Sequence, residues 1–383
     1  MSVSRTIILF MGLGHACAAA VVTGAAEGFA YGVTGGGDAS PVYPADIDEL
    51  VDLLGSSEPQ VIVLSKTYDF TGSEGTTDET GCAPWGTEEG CQLAINANGW
   101  CGSNPAAEVS YDNAGLAGIT VTSNKTLVGT GSSGVIKGKG LRMTSGASNI
   151  IIQNIHITDL NPEYVWGGDA IVLSGTDLIW IDHCQTSLIG RQHYAFGFDP
   201  NTRVTLSNNY IDGKTNWSAS CDGHHYWTLE LVGEGDQITF QNNYLTYTSG
   251  RSPALSGTTL FHAVNSVWDS VSGHALEGDS SSARGLFEGC AFAGVAQVAV
   301  ADFAGQLFAG PDAAARELCA ADGALGRACA ANAYDEDSDA GNFEGAADDG
   351  FLGDFAGYDV PAAAMSAEEA RSSVPGSAGI GHL

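Results

Sequence analysis

Six segments of this chain share one design. Ile150-Ile-Ile-Gln-Asn, Leu178-Ile-Trp-Ile-Asp-His, Arg203-Val-Thr-Leu-Ser-Asn-Asn, Gln237-Ile-Thr-Phe-Gln-Asn-Asn, Thr259-Leu-Phe-His-Ala-Val-Asn and Gly285-Leu-Phe-Glu-Gly-Cys are short β-prone runs, each closed by a small polar or Asn-rich corner. They recur about every 22 to 34 residues, the period of a solenoid. A β-sandwich also supplies many short strands. Two observations favour an all-β parallel β-helix instead. The corner returns at the end of each run, as coils stacked in register require, and no helical pattern separates the runs, which argues against βαβ units. Asparagine suits such a corner because it tolerates the left-handed backbone and bonds locally, and stacked Asn side chains bond from coil to coil. In this register Cys184 and Cys290 share the position of Asn209, Asn243 and Asn265, four coils apart or ~19 Å at the usual strand spacing. A disulfide needs Cα atoms within roughly 7 Å, so both are expected to be buried free thiols. No Cys/His/Asn set accompanies them to make a nucleophile.

The repeat is clearest over residues 118–300. From about residue 305 to 383 Ala, Asp and Gly dominate, as in Tyr334-Asp-Glu-Asp-Ser-Asp. This reads as a loop-rich C-terminal segment lying on the solenoid, pinned by a Cys319–Cys329 bridge, with a disordered acidic tail as the alternative. Residues 1–20 carry Arg5, a short apolar run and Cys17-Ala-Ala-Ala20, a secretory signal in form, which leaves residues 21–383 as one domain. The apolar run is too short to span a membrane, and no later segment is long enough. The remaining cysteines then read as disulfides of an extracellular protein, because no CxxC pair or paired histidines suggest a metal. Asn124-Lys-Thr and Asn216-Trp-Ser are glycosylation sequons.

The 52 glycines and 15% charged residues suit strands and turns rather than long helices. A net charge of −31 excludes nucleic acid as a partner. It also repels a densely anionic polymer at neutral pH, whereas a neutral or esterified polymer fits.

The chain has only 14 basic residues, yet two arginines sit just after strand-like runs, in Ile189-Gly-Arg191 and Thr248-Ser-Gly-Arg251-Ser-Pro253. Asp169 follows a glycine pair in Trp166-Gly-Gly-Asp169, which lets its carboxylate project from a turn. The plain reading is a salt bridge steadying one face; the functional one is a charged site in a groove. Trp85, Trp100, Trp166, Trp217 and Trp227 stand in loop-like contexts, unlike Trp180 inside a strand. Several exposed indoles on connecting loops suggest a polysaccharide groove.

These motifs resemble the fungal pectin lyases, in the polysaccharide lyase group that also holds the pectate lyases. The likeness runs from Ala26-Glu-Gly-Phe-Ala-Tyr-Gly through Asp46-Ile-Asp-Glu-Leu50, Cys82-Ala-Pro-Trp-Gly86, Ile136-Lys-Gly-Lys-Gly-Leu141 and Cys221-Asp-Gly-His-His-Tyr-Trp227, to about residue 300. It implies a single-stranded right-handed parallel β-helix with long loops forming a cleft. It further implies an endo-acting eliminative cut of methyl-esterified polygalacturonate by a secreted monomer that needs no metal or other cofactor. On this resemblance Asp169 and Arg191 match the region where pectate lyases hold calcium, with Arg191 supplying fixed positive charge in its place. Arg251 matches the base that removes the sugar C5 proton, and Trp85, Trp100, Trp166 and Trp227 line the cleft. The resemblance also implies Cys82–Cys101 and Cys91–Cys221 bridges. An arginine base needs its charged form disfavoured by Arg191 or by desolvation; otherwise Arg251 stabilises the enolate and another group takes the proton. The chain departs from many relatives in having Ala254 where they have Lys. The rival expectations are a calcium-dependent pectate lyase, a glycoside hydrolase, for which no paired carboxylates are visible, and a silent pectin-binding β-helix.

Overall fold

The computed structural model describes residues 21–321, 324–361 and 365–383. The signal-like segment 1–20 lies outside the described residues.

The central coils of the chain each lay down three strands, one in each of three sheets. In one turn these are Ile171–Ser174, Thr176–Asp182 and Gln185–Ile189, and the next turn repeats them as Tyr194–Phe196, Asn201–Ser207 and Tyr210–Asp212. Among the described residues the stacked strands form parallel sheets of ten, nine and six strands. The molecule is a parallel β-helix. All six runs recognised in the sequence are neighbours in the ten-stranded sheet.

Register explains why alternation alone builds the core. Ile62, Leu127, Ile152, Ile181, Leu206, Phe240, Ala263 and Phe287 pair in one lateral column, and every one is buried. A one-residue slip on any strand would send its whole apolar set outward. The opposite column, Ile151, Trp180, Thr205, Thr239 and His262, faces away from the core and is covered by chain termini. The Phe29 and Ala30 N–H groups donate to Thr239 and Thr205 hydroxyls, and Tyr358 meets His262.

The corner divides its labour between two adjacent residues. Asn154, His183, Asn208, Asn242, Asn265 and Gly289 take the left-handed backbone. The next residue makes the stack: Cys184 N–H donates to Asn209 Oδ1, Asn209 N–H to Asn243 Oδ1, and Asn243 N–H to Ser266 Oγ. Asn265, expected in the stack from sequence, is therefore one residue early, and Ser266 occupies the place. The sequence pattern blurred the two because Asn serves both jobs. Cys184 and Cys290 are free and buried.

Two further features go beyond the repeat. The helix Ile47–Gly55, capped by Asp46 accepting from Glu49 N–H, buries Leu50 and Leu54 against the first coils. The sequence pattern predicts no helix there, because one short amphipathic turn is outweighed by the surrounding strand signal. The C-terminal part continues the sheets through Gln306–Phe308 and Ala333–Tyr334. It then packs Phe351 and Phe355, with the Cys319–Cys329 bridge, over Leu260, Leu286 and Phe308. Among the described residues, no helix is long and apolar enough to cross a membrane.

Candidate active site

Asp169, Arg191 and Arg251 lie at the turns that lead into the strands Ile171–Ser174, Tyr194–Phe196 and Ala254–Leu255 of the six-stranded sheet, with the strand Leu229–Leu231 between the last two. Gly167 and Gly168 allow the turn before Asp169: Gly168 has φ 146°, and a Cβ there would stand 2.2 Å from the Gly115 carbonyl oxygen. Arg251 itself takes the left-handed region at φ 47°, an unfavourable place for a non-glycine residue that is typical of functional turns.

The three side chains belong to a longer alternating row. Asp169 accepts from Arg191 Nε at 2.8 Å and Nη2 at 3.0 Å. Arg191 Nη2 is 3.6 Å from Glu230, and Glu230 Oε1 accepts from Arg251 Nη1 at 2.7 Å. Arg251 Nε is 3.3 Å from Glu277 Oε1, without the alignment of a hydrogen bond. Glu277 Oε2 accepts from the Tyr226 hydroxyl at 2.7 Å and is bonded by His274 Nε2. Asp169, Arg191, Glu230, Arg251 and Glu277 thus set three carboxylates against two guanidiniums. Burial pushes the Glu277 carboxyl up, but bonds from His274 and Tyr226 and the charges of His274 and Arg251 outweigh it and hold it below its ordinary value. The same burial, with Glu277 beside it, lifts the Tyr226 phenol to about 12.

Glu230 and Glu277 were not singled out from sequence. Glu230 was legible in one respect: Leu229-Glu230-Leu231 alternates with both leucines buried, so Glu230 must face out. The outward row of that sheet runs Val172, Ala195, Glu230, Ala254, Glu277. Ala254 therefore sits between the two carboxylates.

Aromatic rings close the other side. Trp166 lies 4.2 Å from the Arg191 guanidinium carbon and Trp227 lies 4.9 Å from that of Arg251, a favourable stacking of cation on ring face. Trp85, Trp100, Trp166 and Trp227 are half-buried and contact one another in a chain, with centroids 6.1 to 6.4 Å apart. They form one cluster of tilted and edge-on rings, less exposed than their loop contexts suggest. Trp217 stands apart, lining another cavity with Glu88 and Glu163. Disulfides fix the cluster: Cys82 is joined to Cys101 and Cys91 to Cys221, so the loops bearing Trp85, Trp100 and Trp227 cannot drift apart.

Beneath Arg191, His225 Nε2 donates to its backbone carbonyl at 2.7 Å. Burial depresses the His225 imidazole to about 4, so it is neutral at ordinary pH. A cavity of about 560 Å³ opens beside Arg251, lined by Trp85, Asp222, Tyr226, Trp227 and His274 among others. Burial raises the Asp222 carboxyl, but the Ser220 and Ser272 hydroxyls and the His224 N–H more than offset this and hold it at about 2. Calcium does not fit these residues. Asp169 is committed to the Arg191 fork, and among the described residues no three His, Cys, Asp or Glu side chains converge on a metal position. Of the two sequons, Asn216 is exposed. Asn124 Oδ1 accepts from Asn149, and the Thr126 hydroxyl is buried on Gly36 N–H.

Comparison with known proteins agrees with this architecture. The family model described as pectate lyase matches residues 3–195. A probable pectin lyase C of Aspergillus niger is 61% identical over 363 residues, covering 95% of each chain. Pectin lyase B of Emericella nidulans is 52% identical over 387 residues, covering 100% of both. Among solved structures, pectate lyase C from Erwinia chrysanthemi with Ca2+ matches with a TM-score of 0.58 at 18% identity, over 93% of this chain and 96% of that one. A pectate lyase from Bacillus sp. N165 in complex with trigalacturonate gives 0.57 at 18% identity, over 93% and 99%. These last two share the fold; the sequence kinship is what places the chain, which belongs to the pectate lyase family and falls among its fungal pectin lyases.

Proposed function

We propose that the protein is a secreted, endo-acting pectin lyase that cleaves α-1,4 bonds between methyl-esterified galacturonates by β-elimination and releases 4,5-unsaturated oligogalacturonides. The observation that carries the reading is the row of three carboxylates and two arginines in an aromatic cleft. Elimination removes the proton at C5, alpha to a carbonyl, and expels the 4-oxygen. Arg191, fixed by Asp169 and Trp166, is a preorganised donor for the enolate oxygen, and Arg251 is the group that meets the C5 proton. A free substrate carboxylate would enter a row that already has one more negative than positive charge. A methyl ester brings no charge, and its carbonyl delocalises the developing carbanion better.

Four indoles offer apolar faces to sugar rings, and the acidic surface suits an uncharged polymer. The cation role that a metal plays elsewhere falls to Arg191, so chelator is expected to leave activity intact. The test is ultraviolet absorbance of unsaturated uronides, on highly methylated pectin with excess chelator and on pectate with calcium, with Arg251→Ala alongside. A rise only on the methylated polymer, lost in the variant, is expected. A rise only on pectate with calcium would assign a calcium-dependent pectate lyase, and binding without turnover a silent pectin-binding protein.

A further inference from the structure

The cavity beside Arg251 holds a carboxylate that does not belong to the row of three. Asp222 lines it together with Trp85, Tyr226 and His274, on the loop that follows the strand Tyr210–Asp212. Two coils meet on this side chain. Ser220 Oγ donates to its Oδ1 at 2.6 Å, and Ser272 Oγ, from 50 residues further on, donates to its Oδ2 at 2.7 Å. The His224 N–H also donates to Oδ1, at 3.0 Å. The carboxylate is thereby fixed in place and stays ionised in neutral and mildly acidic solution, while 38% of the side chain remains open.

These bonds set what the cavity offers a ligand. The Ser220 and Ser272 hydroxyls give their protons to Asp222, and the Ser249 hydroxyl gives its proton to the His224 carbonyl. The Tyr226 hydroxyl and the Trp227 indole N–H are likewise committed, to Glu277 and Gln92. What these side chains turn toward a ligand is oxygen lone pairs and a negative charge. Such a wall accepts hydrogen bonds from sugar hydroxyls. It repels a second carboxylate, which needs donors and carries the same charge as Asp222. Arg251 does not offset this, because Glu230 and Glu277 flank it. The remaining charged or titratable neighbours are His274, held on Glu277, and His224, whose Nδ1 is 3.4 Å from Asp222.

We propose that Asp222 is a specificity-determining residue: it bars an unesterified galacturonate from the subsite beside Arg251, so that the enzyme reads the ester of a sugar next to the one that loses its C5 proton. The reacting sugar meets the row from Asp169 to Arg251. Asp222 takes part in none of the ion pairs of that row, so the ring it faces is a neighbour. A methyl ester passes because it brings no charge and needs no donor. The inference rests on the eliminative reading above and extends it from one ring to the next. The competing role for Asp222 is acceptor of a sugar hydroxyl, and in that role its loss weakens esterified and free polymers alike.

The test is Asp222→Asn, which keeps the shape and an oxygen for the Ser220 and His224 donors but removes the charge. Excess chelator is present, so that no cation bridges two carboxylates. Values of kcat/KM are measured on fully methylated pectin and on the same polymer after random partial de-esterification. The ratio of the second value to the first is expected to rise about fivefold in the variant, through KM rather than kcat, and inhibition by trigalacturonate is expected to strengthen by a similar factor. A ratio that is unmoved or lowered overturns the proposal, whatever the absolute rates; an equal loss on both polymers assigns Asp222 to a sugar hydroxyl instead. If Asp222→Asn does not fold, Asp222→Ser is judged by the same ratio. A wild type inactive on fully methylated pectin sinks the eliminative reading. Calorimetric titration with trigalacturonate and its trimethyl ester then decides Asp222 separately: a variant that binds trigalacturonate more tightly relative to the ester supports the exclusion, and an unaltered preference overturns it. An active wild type with an unmoved ratio sinks the Asp222 proposal alone.

Discussion

Arg191 grips Asp169 with two parallel hydrogen bonds, Nε to Oδ1 at 2.8 Å and Nη2 to Oδ2 at 3.0 Å, while Trp166 covers its other face. A lysine has the charge but neither the fork nor the flat face. Arg191→Lys is therefore expected to lower kcat/KM on methylated pectin by about 100-fold, or about 2.7 kcal/mol of transition-state stabilisation. Initial rates with both proteins at matched thermal stability check it. A lysine variant within threefold of wild type would show that charge alone suffices.

Gly250 precedes Arg251 in its turn and packs against Tyr226. A Cβ there would stand 2.3 Å from Tyr226 Cε2, and Tyr226 is the ring whose hydroxyl supports Glu277. Gly250→Ala must displace one of them, so a loss of at least about tenfold in kcat is expected with 1–3 kcal/mol of overpacking cost. Kinetics and thermal unfolding together measure both; full activity would mean that Tyr226 is free to move without consequence.

The coils were legible because alternation and corner residues are local signals repeated many times. Asp169, Arg191 and Arg251 stood out because arginine is rare in this chain and each sits at a strand end. Glu230 and Glu277 did not, since an acid on the outward face of a strand is ordinary in a protein with 45 acidic residues. Their meaning comes from lateral pairing: Ala254 aligns with both, and pairing partners far apart in sequence leave no trace in a single strand. The corner stack failed by one residue at Asn265 for a related reason. Asn fits both the left-handed position and the stacking position, and only the bond from Asn243 N–H to Ser266 separates them.

The C-terminal segment is latched by a buried charge. Glu288 is fully buried, paired with His262 at 2.9 Å and Arg327 at 2.7 Å. Burial pushes its carboxyl up, but the bonds and charges of those partners prevail and bring it down to about 2. An unfolded glutamate titrates near 4.3. With the folded value depressed, the stabilisation is fully present above about pH 4.3 and is lost as pH falls toward 2. Glu288→Gln is expected to cost about 3–5 kcal/mol at neutral pH by stranding Arg327, and to flatten stability between pH 4 and 2. Urea unfolding at several pH values tests this. A parallel downward shift with unchanged pH slope would refute it.

Burial raises the thiols of Cys184 and Cys290 to about 12. Neither is expected to react with a thiol reagent at pH 8 in the native protein, and both should react after denaturation. Three disulfides join the other six described cysteines, so a mature chain lacking Cys17 should titrate two thiols when unfolded and none when folded. A fast native reaction would place one of them at a surface.

The two corner positions should differ sharply under mutation. Asn208 holds the left-handed backbone at φ 53° and its side chain donates to the Asp182 carboxylate. Glycine adopts that backbone without penalty, so Asn208→Gly is expected to change stability by about 1 kcal/mol or less. Asn209 instead accepts from Cys184 N–H and donates to Ile181 carbonyl and Asn243 Oδ1, all inside the wall. Asn209→Ala removes the acceptor of the Cys184 N–H and a donor to the Ile181 carbonyl, while Asn243 Oδ1 keeps the Asn209 N–H; at roughly 1–3 kcal/mol for a buried group left unpartnered, a loss of at least about 2 kcal/mol is expected, read as a lower urea midpoint at constant slope. Equal effects at the two positions would mean that the stack is decoration and that the left-handed backbone alone sets the coil.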